Sequence, residues 1–90
     1  MAELIAIGTT ELASSDFTLT TDSATLFLKD AAGSQVDSNA LAEVQIKSSG
    51  GEYFTIGALT WQIPGKVLSG AGTYRVVRRI SAVAFGVDKN

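Results

Sequence analysis

The residues of this chain that could take part in chemistry are few, and their types restrict what it can do. Cysteine and histidine are both absent, which removes thiolate nucleophiles, the usual general base and the usual transition-metal ligand. The nine acidic residues are dispersed along the chain, so no two-carboxylate acid–base site is indicated. The sequence therefore predicts a protein that is not an enzyme and that holds no cofactor and no metal.

Two local patterns are compatible with chemistry but have simpler explanations. Lys66 and Ser69 form the sole local pair for a serine–lysine nucleophile, and nothing predicts a pocket around them. The glycine-rich stretch 69–72 reads Ser-Gly-Ala-Gly, which matches neither G-x-G-x-x-G nor a Walker motif. We interpret this stretch as a turn between strands.

All three arginines of the chain lie close together, at Arg75, Arg78 and Arg79. Strand alternation places Arg75 and Arg79 on a wet face, opposite Tyr74 and Val76. Arg78 falls on the dry face, so we expect it at the end of the strand, where its head can reach water. Solvated strand ends are the favoured interpretation of these arginines, and contact with an acidic protein surface is the functional alternative.

Exposed aromatic rings could form a platform for a sugar or for a partner protein. Tyr53 lies on the face opposite Phe54 and Ile56 in the alternation, so we expect it to be exposed. We group it with the three arginines as a partner-binding candidate. Trp61 alternates with two large aliphatic residues, which favours a place in the core.

Alternation with a period of two recurs along the chain and indicates strands. The clearest strands are residues 4–7, 16–20, 24–29, 40–47, a long stretch from 52 to 63, and a C-terminal pair around 74–79 and 83–87. Turns are expected at 30–33, 37–39 and 48–51, where Gly, Asp, Asn and Ser gather. A helix is the alternative for 37–48, because Asp37 or Ser38 could cap its N-terminus.

The long stretch from 52 to 63 changes phase near its middle. The large apolar residues are Phe54 and Ile56 before the change, and Leu59, Trp61 and Ile63 after it. A bulge at Gly57 would let both sets reach the core.

The stretch from Leu68 to Val76 resembles the approach to the penultimate strand of immunoglobulin-like sandwiches. Gly72, Tyr74 and Val76 match the family's small residue, corner tyrosine and core residue, and the resemblance implies that the tyrosine hydroxyl bonds to nearby backbone. The family's cysteine pair is absent, and Trp61 lies too close to Tyr74 to be its core tryptophan. We expect one domain over residues 1–90, an all-β antiparallel sandwich of seven to eight strands, immunoglobulin-like, with a small β-barrel as the alternative.

The chain as a whole is short, rich in Ala, Ser, Thr and Gly, and ends in G-T-Y-R-V-V-R-x-x-S-A-V-A-F-G-V. In this character it resembles the small β-rich accessory proteins of tailed-phage virions, such as capsid decoration proteins and head or tail appendage modules. The resemblance implies a non-enzymatic virion protein that docks on a major capsid protein or another virion protein. Homo-oligomerisation, for example as a trimer, would add burial to a small core. A carbohydrate-binding or host-surface adhesion module is the alternative.

Charge and hydropathy disfavour two classes of partner, nucleic acids and membranes. The net charge of −2 and the pI of about 4.8 disfavour nucleic acid, whose binders usually carry a basic stripe. No apolar run approaches the length of roughly 18 residues that spans a membrane. The N-terminal stretch lacks the basic start of a signal peptide, so we expect synthesis in the host cytoplasm and a final place in the virion.

Overall fold

The computed structural model describes residues 2–30 and 38–90, and every regular element in these ranges is a strand. The strands are β1 (Ala2–Gly8), β2 (Leu12–Ala13), β3 (Phe17–Leu19), β4 (Ala24–Asp30), β5 (Leu41–Lys47), β6 (Tyr53–Thr60), β7 (Gly65–Leu68), β8 (Gly72–Arg78) and β9 (Phe85–Lys89). The prediction of an all-β chain is confirmed, and 40–47 forms a strand rather than the alternative helix. The turn expected at 30–33 falls almost wholly outside the described residues, as does the start of the turn at 37–39.

The strands form two antiparallel sheets. Sheet 1 has the order β1-β9-β4-β7, and sheet 2 has the order β2-β8-β5-β6, with β3 also paired to β8. Because β2 and β3 pair with successive parts of β8, they act as one interrupted strand. With that strand counted once, the eight strands pair first with last, second with seventh, third with sixth and fourth with fifth. This is the jelly-roll arrangement of a sandwich, so the expected sandwich is confirmed and the barrel alternative is wrong.

The hydrogen bond from tyrosine to backbone that the immunoglobulin resemblance implies is present at Tyr74. The Tyr74 hydroxyl donates a hydrogen bond to the Gly70 carbonyl oxygen at 2.9 Å, and Gly70 adopts a positive φ of 104°. The Tyr74 ring is buried and stacks on Phe17, with 6.0 Å between ring centroids. The strand order is not that of an immunoglobulin domain, where the last two strands share one sheet, because β8 and β9 lie in different sheets.

The core lies between the inner faces of the two sheets. Its largest fully buried side chains are Ile5, Leu26, Val44, Leu59, Val76, Phe85 and Val87. The interior strands β4 and β5 show the predicted alternation, with every second side chain buried. Burial of each such side chain contributes roughly 1.5 to 3 kcal/mol to folding, so these residues supply the main stabilisation.

Gly86 in the last strand is covered by β1. A Cβ atom added at Gly86 would lie 2.5 Å from the Ile5 carbonyl oxygen, because β1 crosses β9 with irregular register between Glu3 and Gly8. Only glycine fits this approach. Val83, predicted for the last strand, lies before its start and is exposed.

The predicted bulge in the long strand is present, but its predicted consequence is wrong. Val44 faces Gly57 and Gln45 faces Thr55, so Ile56 is the extra residue. Only Leu59 of the five large apolar residues reaches the core; Phe54, Ile56, Trp61 and Ile63 are exposed. The reason is position, since β6 is an edge strand of sheet 2 and pairs only with β5 among the described strands.

Candidate functional site

The structure brings two of the predicted partner-binding residues together on the outer face of sheet 2. Tyr53 on β6 and Arg75 on β8 lie on either side of β5, and the Arg75 guanidinium stacks 3.5 Å from the centroid of the Tyr53 ring. The Arg75 Nε atom donates to the Gln45 Oε1 atom at 2.8 Å. The Tyr53 hydroxyl donates to the Asp16 carboxylate at 2.8 Å, and the Lys47 amine approaches the same carboxylate at 3.7 Å. The result is a flat polar platform whose members hold one another in place.

Arg79 lies on the same outer face, one pleat repeat along β5 from this platform. Its guanidinium donates to the Glu11 carboxylate at 3.0 Å and to the Glu43 carboxylate. Hydrogen bonds to Glu11 and then Glu43 hold the pKa of Arg79 above its ordinary value. Its charge is therefore already balanced by two carboxylates, one of which, Glu11, is itself well exposed. This trio can form the charged rim of a contact surface.

Arg78 is not at the water-exposed strand end that the sequence predicts. The residue is 2% exposed, and its guanidinium donates to three main-chain oxygens, those of Ala6 at 2.6 Å, Phe85 at 2.9 Å and Thr10 at 2.7 Å. Its Nη2 atom also lies 3.3 Å from the Thr10 hydroxyl. A partner on the surface cannot reach a group enclosed in this way.

The environment of Arg78 explains how a buried charge is tolerated there. Burial lowers the pKa of its guanidinium, because the charged form loses its hydration. The three carbonyl dipoles replace part of that hydration, and they come from β1, from the β1–β2 connection and from β9. Arg78 thus ties the crossing of the chain from sheet 1 to sheet 2 to the end of β8, and its role is structural.

The most extensive exposed features are two groups of large apolar side chains that the sequence analysis did not predict as surfaces. The first, the β6–β7 surface, consists of Phe54, Ile56, Trp61, Ile63 and Val67, which are 43 to 63% exposed. The second, the β1–β2 surface, consists of Ile7, Leu12, Ile80 and Val83, which are 40 to 77% exposed. Together they contain all the large apolar side chains found exposed in residues 2–30 and 38–90. Each group lies along or near a pair of neighbouring strand edges, which makes it a candidate interaction surface.

The two surfaces lie on opposite sides of the sandwich. β7 and β6 are edge strands of sheets 1 and 2 on one side, and Lys66 of β7 packs over Gly57 of β6. β1 and the interrupted strand β2/β3 are the edges on the other side, joined around Arg78. Each sheet is four strands wide, so the two edges of a sheet lie about 14 Å apart.

The two surfaces differ in charge. Lys66 is the single charged residue between Tyr53 and Tyr74, so the segment that carries the β6–β7 surface contributes one charge. The β1–β2 surface includes Leu12, which directly follows Glu11, and Ile80, which directly follows Arg79. It therefore has an apolar centre and a charged rim, the usual composition of a contact between separately folded proteins.

A sequence signal for the first surface existed and was of a different kind from strand alternation. The stretch between Tyr53 and Tyr74 holds seven large apolar side chains and a single charge, which is unusual for a strand pair that must remain soluble on one side. The second surface had no such signal, since its members come from three separate segments of the chain: β1, β2 and the connection between β8 and β9.

The described residues contain no pocket and no cluster of three or more potential acidic metal ligands. The same residues include no helix that is long and apolar enough to cross a bilayer. The arrangement is suited to binding through broad surfaces. Comparisons with protein-family models, with curated protein sequences and with solved structures found no match to this chain.

Proposed function

We propose that this protein is a non-enzymatic structural component of a protein assembly, of the kind that docks on an assembled phage capsid and stabilises it. The observation that supports this most is the pair of apolar surfaces on opposite sides of a sandwich that offers no pocket in its described residues. A module with one binding task needs one such surface, whereas a building block needs two. The jelly roll occurs among viral capsid proteins, which agrees with the proposal only by analogy of fold.

The β1–β2 surface is the side that docks on the shell of the capsid. Its centre is apolar, with Ile80 77% exposed, and its rim carries Glu11 and Arg79 in an ion pair at 3.0 Å. Such a rim favours correct partners over incorrect ones by electrostatic complementarity. Of the four residues predicted to bind a partner, Arg79 lies at the rim of this surface. Arg75 and Tyr53 lie on the outer face of sheet 2, with Tyr53 on β6 at the opposite edge.

The test is co-sedimentation of the purified protein with capsid shells assembled without it. We expect the protein to pellet with the shells, and the variant Ile80→Glu to bind at least about tenfold more weakly, since a charge at the centre of an apolar contact opposes desolvation. Ile80 lies outside the strands and is exposed, so the change leaves the fold intact.

The matched control is Ser49→Glu, which adds the same charge to the exposed turn between β5 and β6, at the far end of β5 from Arg78. We expect this variant to bind like the wild type. A wild-type protein that stays in the supernatant, or an Ile80→Glu variant that pellets as well as the wild type, would overturn the proposal.

A carbohydrate-binding or adhesion module is the second candidate, and the exposure of Trp61 favours it. The ring is 43% exposed, not buried as the sequence predicts, and exposed tryptophan rings can stack on sugars. Binding of soluble glycans should then quench or shift the fluorescence of Trp61, which is the only tryptophan. A blank glycan array together with unchanged fluorescence would eliminate this candidate.

A further inference from the structure

We infer that the β6–β7 surface binds a second copy of this chain in a twofold dimer. The inference rests on the proposed function, in which the β1–β2 surface docks on the shell and leaves the β6–β7 surface for another partner. It names the occupant of the other surface, whose composition, edge position and area all favour self-association.

The composition of the surface favours a permanent contact between identical copies. Interfaces of homodimers are more apolar than those of transient complexes, and their centres are depleted of charge. Lys66 is the sole charge between Tyr53 and Tyr74, and its stem packs over Gly57 within the same copy. A surface with almost no charge gives a foreign partner little to recognise, but it also offers no like-charge repulsion against its own copy.

The position of the surface leaves two strand edges open. β6 pairs only with β5, and β7 only with β4, among the described strands. Edge strands are usually protected from association by charges or prolines. The β6 strand, Tyr-Phe-Thr-Ile-Gly-Ala-Leu-Thr, contains neither, and its bulge at Ile56 is the one protective feature present. The edge is therefore available to a second copy, whose β6 strand would approach it around a twofold axis.

The exposed area is close to what a stable dimer requires. The five side chains of the surface are 43 to 63% exposed. With roughly 150 to 250 Å² for each large side chain, they present about 500 Å² per copy. Complete burial of these side chains in both copies would remove about 1,000 Å² from water, which is about the minimum for a specific interface. Trp61 and Phe54 are aromatic residues of the type that dominates binding energy.

The experiment is to measure the mass of the protein in solution by light scattering and sedimentation equilibrium over a series of concentrations. We expect twice the chain mass of 9.4 kDa for the wild type. Ile63→Glu places a charge on an exposed residue of the β6–β7 turn, and each dimer would acquire two such charges. We expect the dissociation constant to rise by at least about a hundredfold, so that the variant is a monomer at micromolar concentration.

A second variant and a matched control make the result specific. Val67→Glu, on the exposed side of β7, should have the same effect as Ile63→Glu, and circular dichroism should show unchanged strand content in both. Ile80→Glu carries the same charge on the opposite surface and should remain a dimer. A monomeric wild type, a trimeric one, which requires contacts between different surfaces, or a dimer lost only in Ile80→Glu would overturn the inference.

The same variants separate this inference from the proposed function. If the wild type is a dimer that never binds shells, the proposed function fails and the dimer stands. If the wild type is a monomer that binds shells through Ile80, the dimer fails and the proposed function stands.

Discussion

Replacement of Arg78 by methionine should cost far more stability than a change to any exposed cation of the chain. The substitution keeps the apolar stem but removes the donors to the carbonyl oxygens of Ala6, Thr10 and Phe85. These acceptors belong to the backbone, so the substitution cannot remove them, and each buried unsatisfied group costs roughly 1 to 3 kcal/mol. With some relaxation of the β1–β2 connection, we expect a loss of about 3 to 5 kcal/mol in the free energy of unfolding.

That loss is large against the total stability of a domain of this length. At roughly 0.05 to 0.15 kcal/mol per residue, the whole chain holds about 5 to 13 kcal/mol. At roughly 4 to 8 °C per kcal/mol, the melting temperature should fall by about 12 °C or more. Arg78→Lys, which retains the charge but has one nitrogen for three separate oxygens, should lose about 2 kcal/mol.

The assay is urea unfolding followed by far-ultraviolet circular dichroism. Arg75→Met is the matched control, because it makes the same chemical change on the outer face, where Arg75 stacks on Tyr53 and bonds to Gln45. We expect this control to lower the free energy of unfolding by about 1 kcal/mol. The reasoning is refuted if Arg78→Met costs no more than Arg75→Met. If Arg78→Met does not fold at all, the Lys variant supplies the measurable value.

Two further predictions concern packing and pH. Gly86→Ala should lower the free energy of unfolding by about 1 to 3 kcal/mol, measured by thermal unfolding, because the new methyl group would lie 2.5 Å from the backbone oxygen of Ile5. Gly57→Ala should lower it by less, because its methyl group meets the flexible Lys66 side chain at 2.8 Å. Equal losses for the two variants would contradict the argument. Hydrogen bonds to two carboxylates, first that of Asp88, hold the pKa of Lys29 above its ordinary value of 10.5. The stabilisation by this partly exposed group is therefore present at neutral pH and is lost as the pH rises through the folded-state pKa. The difference in unfolding free energy between wild type and Lys29→Met should shrink above that pH, and a constant difference would count against the assignment.

The interior strands could be predicted from the sequence because their surroundings impose a simple pattern. β4 lies between β9 and β7, and β5 lies between β6 and β8, so each has one face on the core and the other at the surface. Ala42 and Val44 then alternate with polar neighbours, as predicted. The corner at Tyr74 was predictable for another reason, since a hydroxyl that reaches back four residues is a local feature.

Strand alternation alone could not predict the exposed surfaces, because they depend on the order of the strands in the sheets. Alternation shows that Trp61 and Ile63 share a face. It does not show that their strand, β6, lies at the edge of its sheet. The environment of Arg78 was out of reach for a similar reason. The alternation correctly places its side chain on the dry face, but its acceptors at Ala6 and Thr10 lie about seventy residues earlier in the chain. Only the tertiary structure brings them together.

The pairing of the first strand with the last has a consequence for how the chain folds during synthesis. β9 lies between β1 and β4, and Ala2 faces Lys89 across the first of these pairs. Until Phe85–Lys89 have been made, β1 has no partner in sheet 1 and β4 lacks one of its two neighbours. Contacts between residues so far apart slow folding, and unpaired strands promote misassembly in the meantime. Sheet 1 therefore cannot be completed before β9 has been synthesised, and removal of Phe85–Lys89 would divide this sheet between β1 and β4.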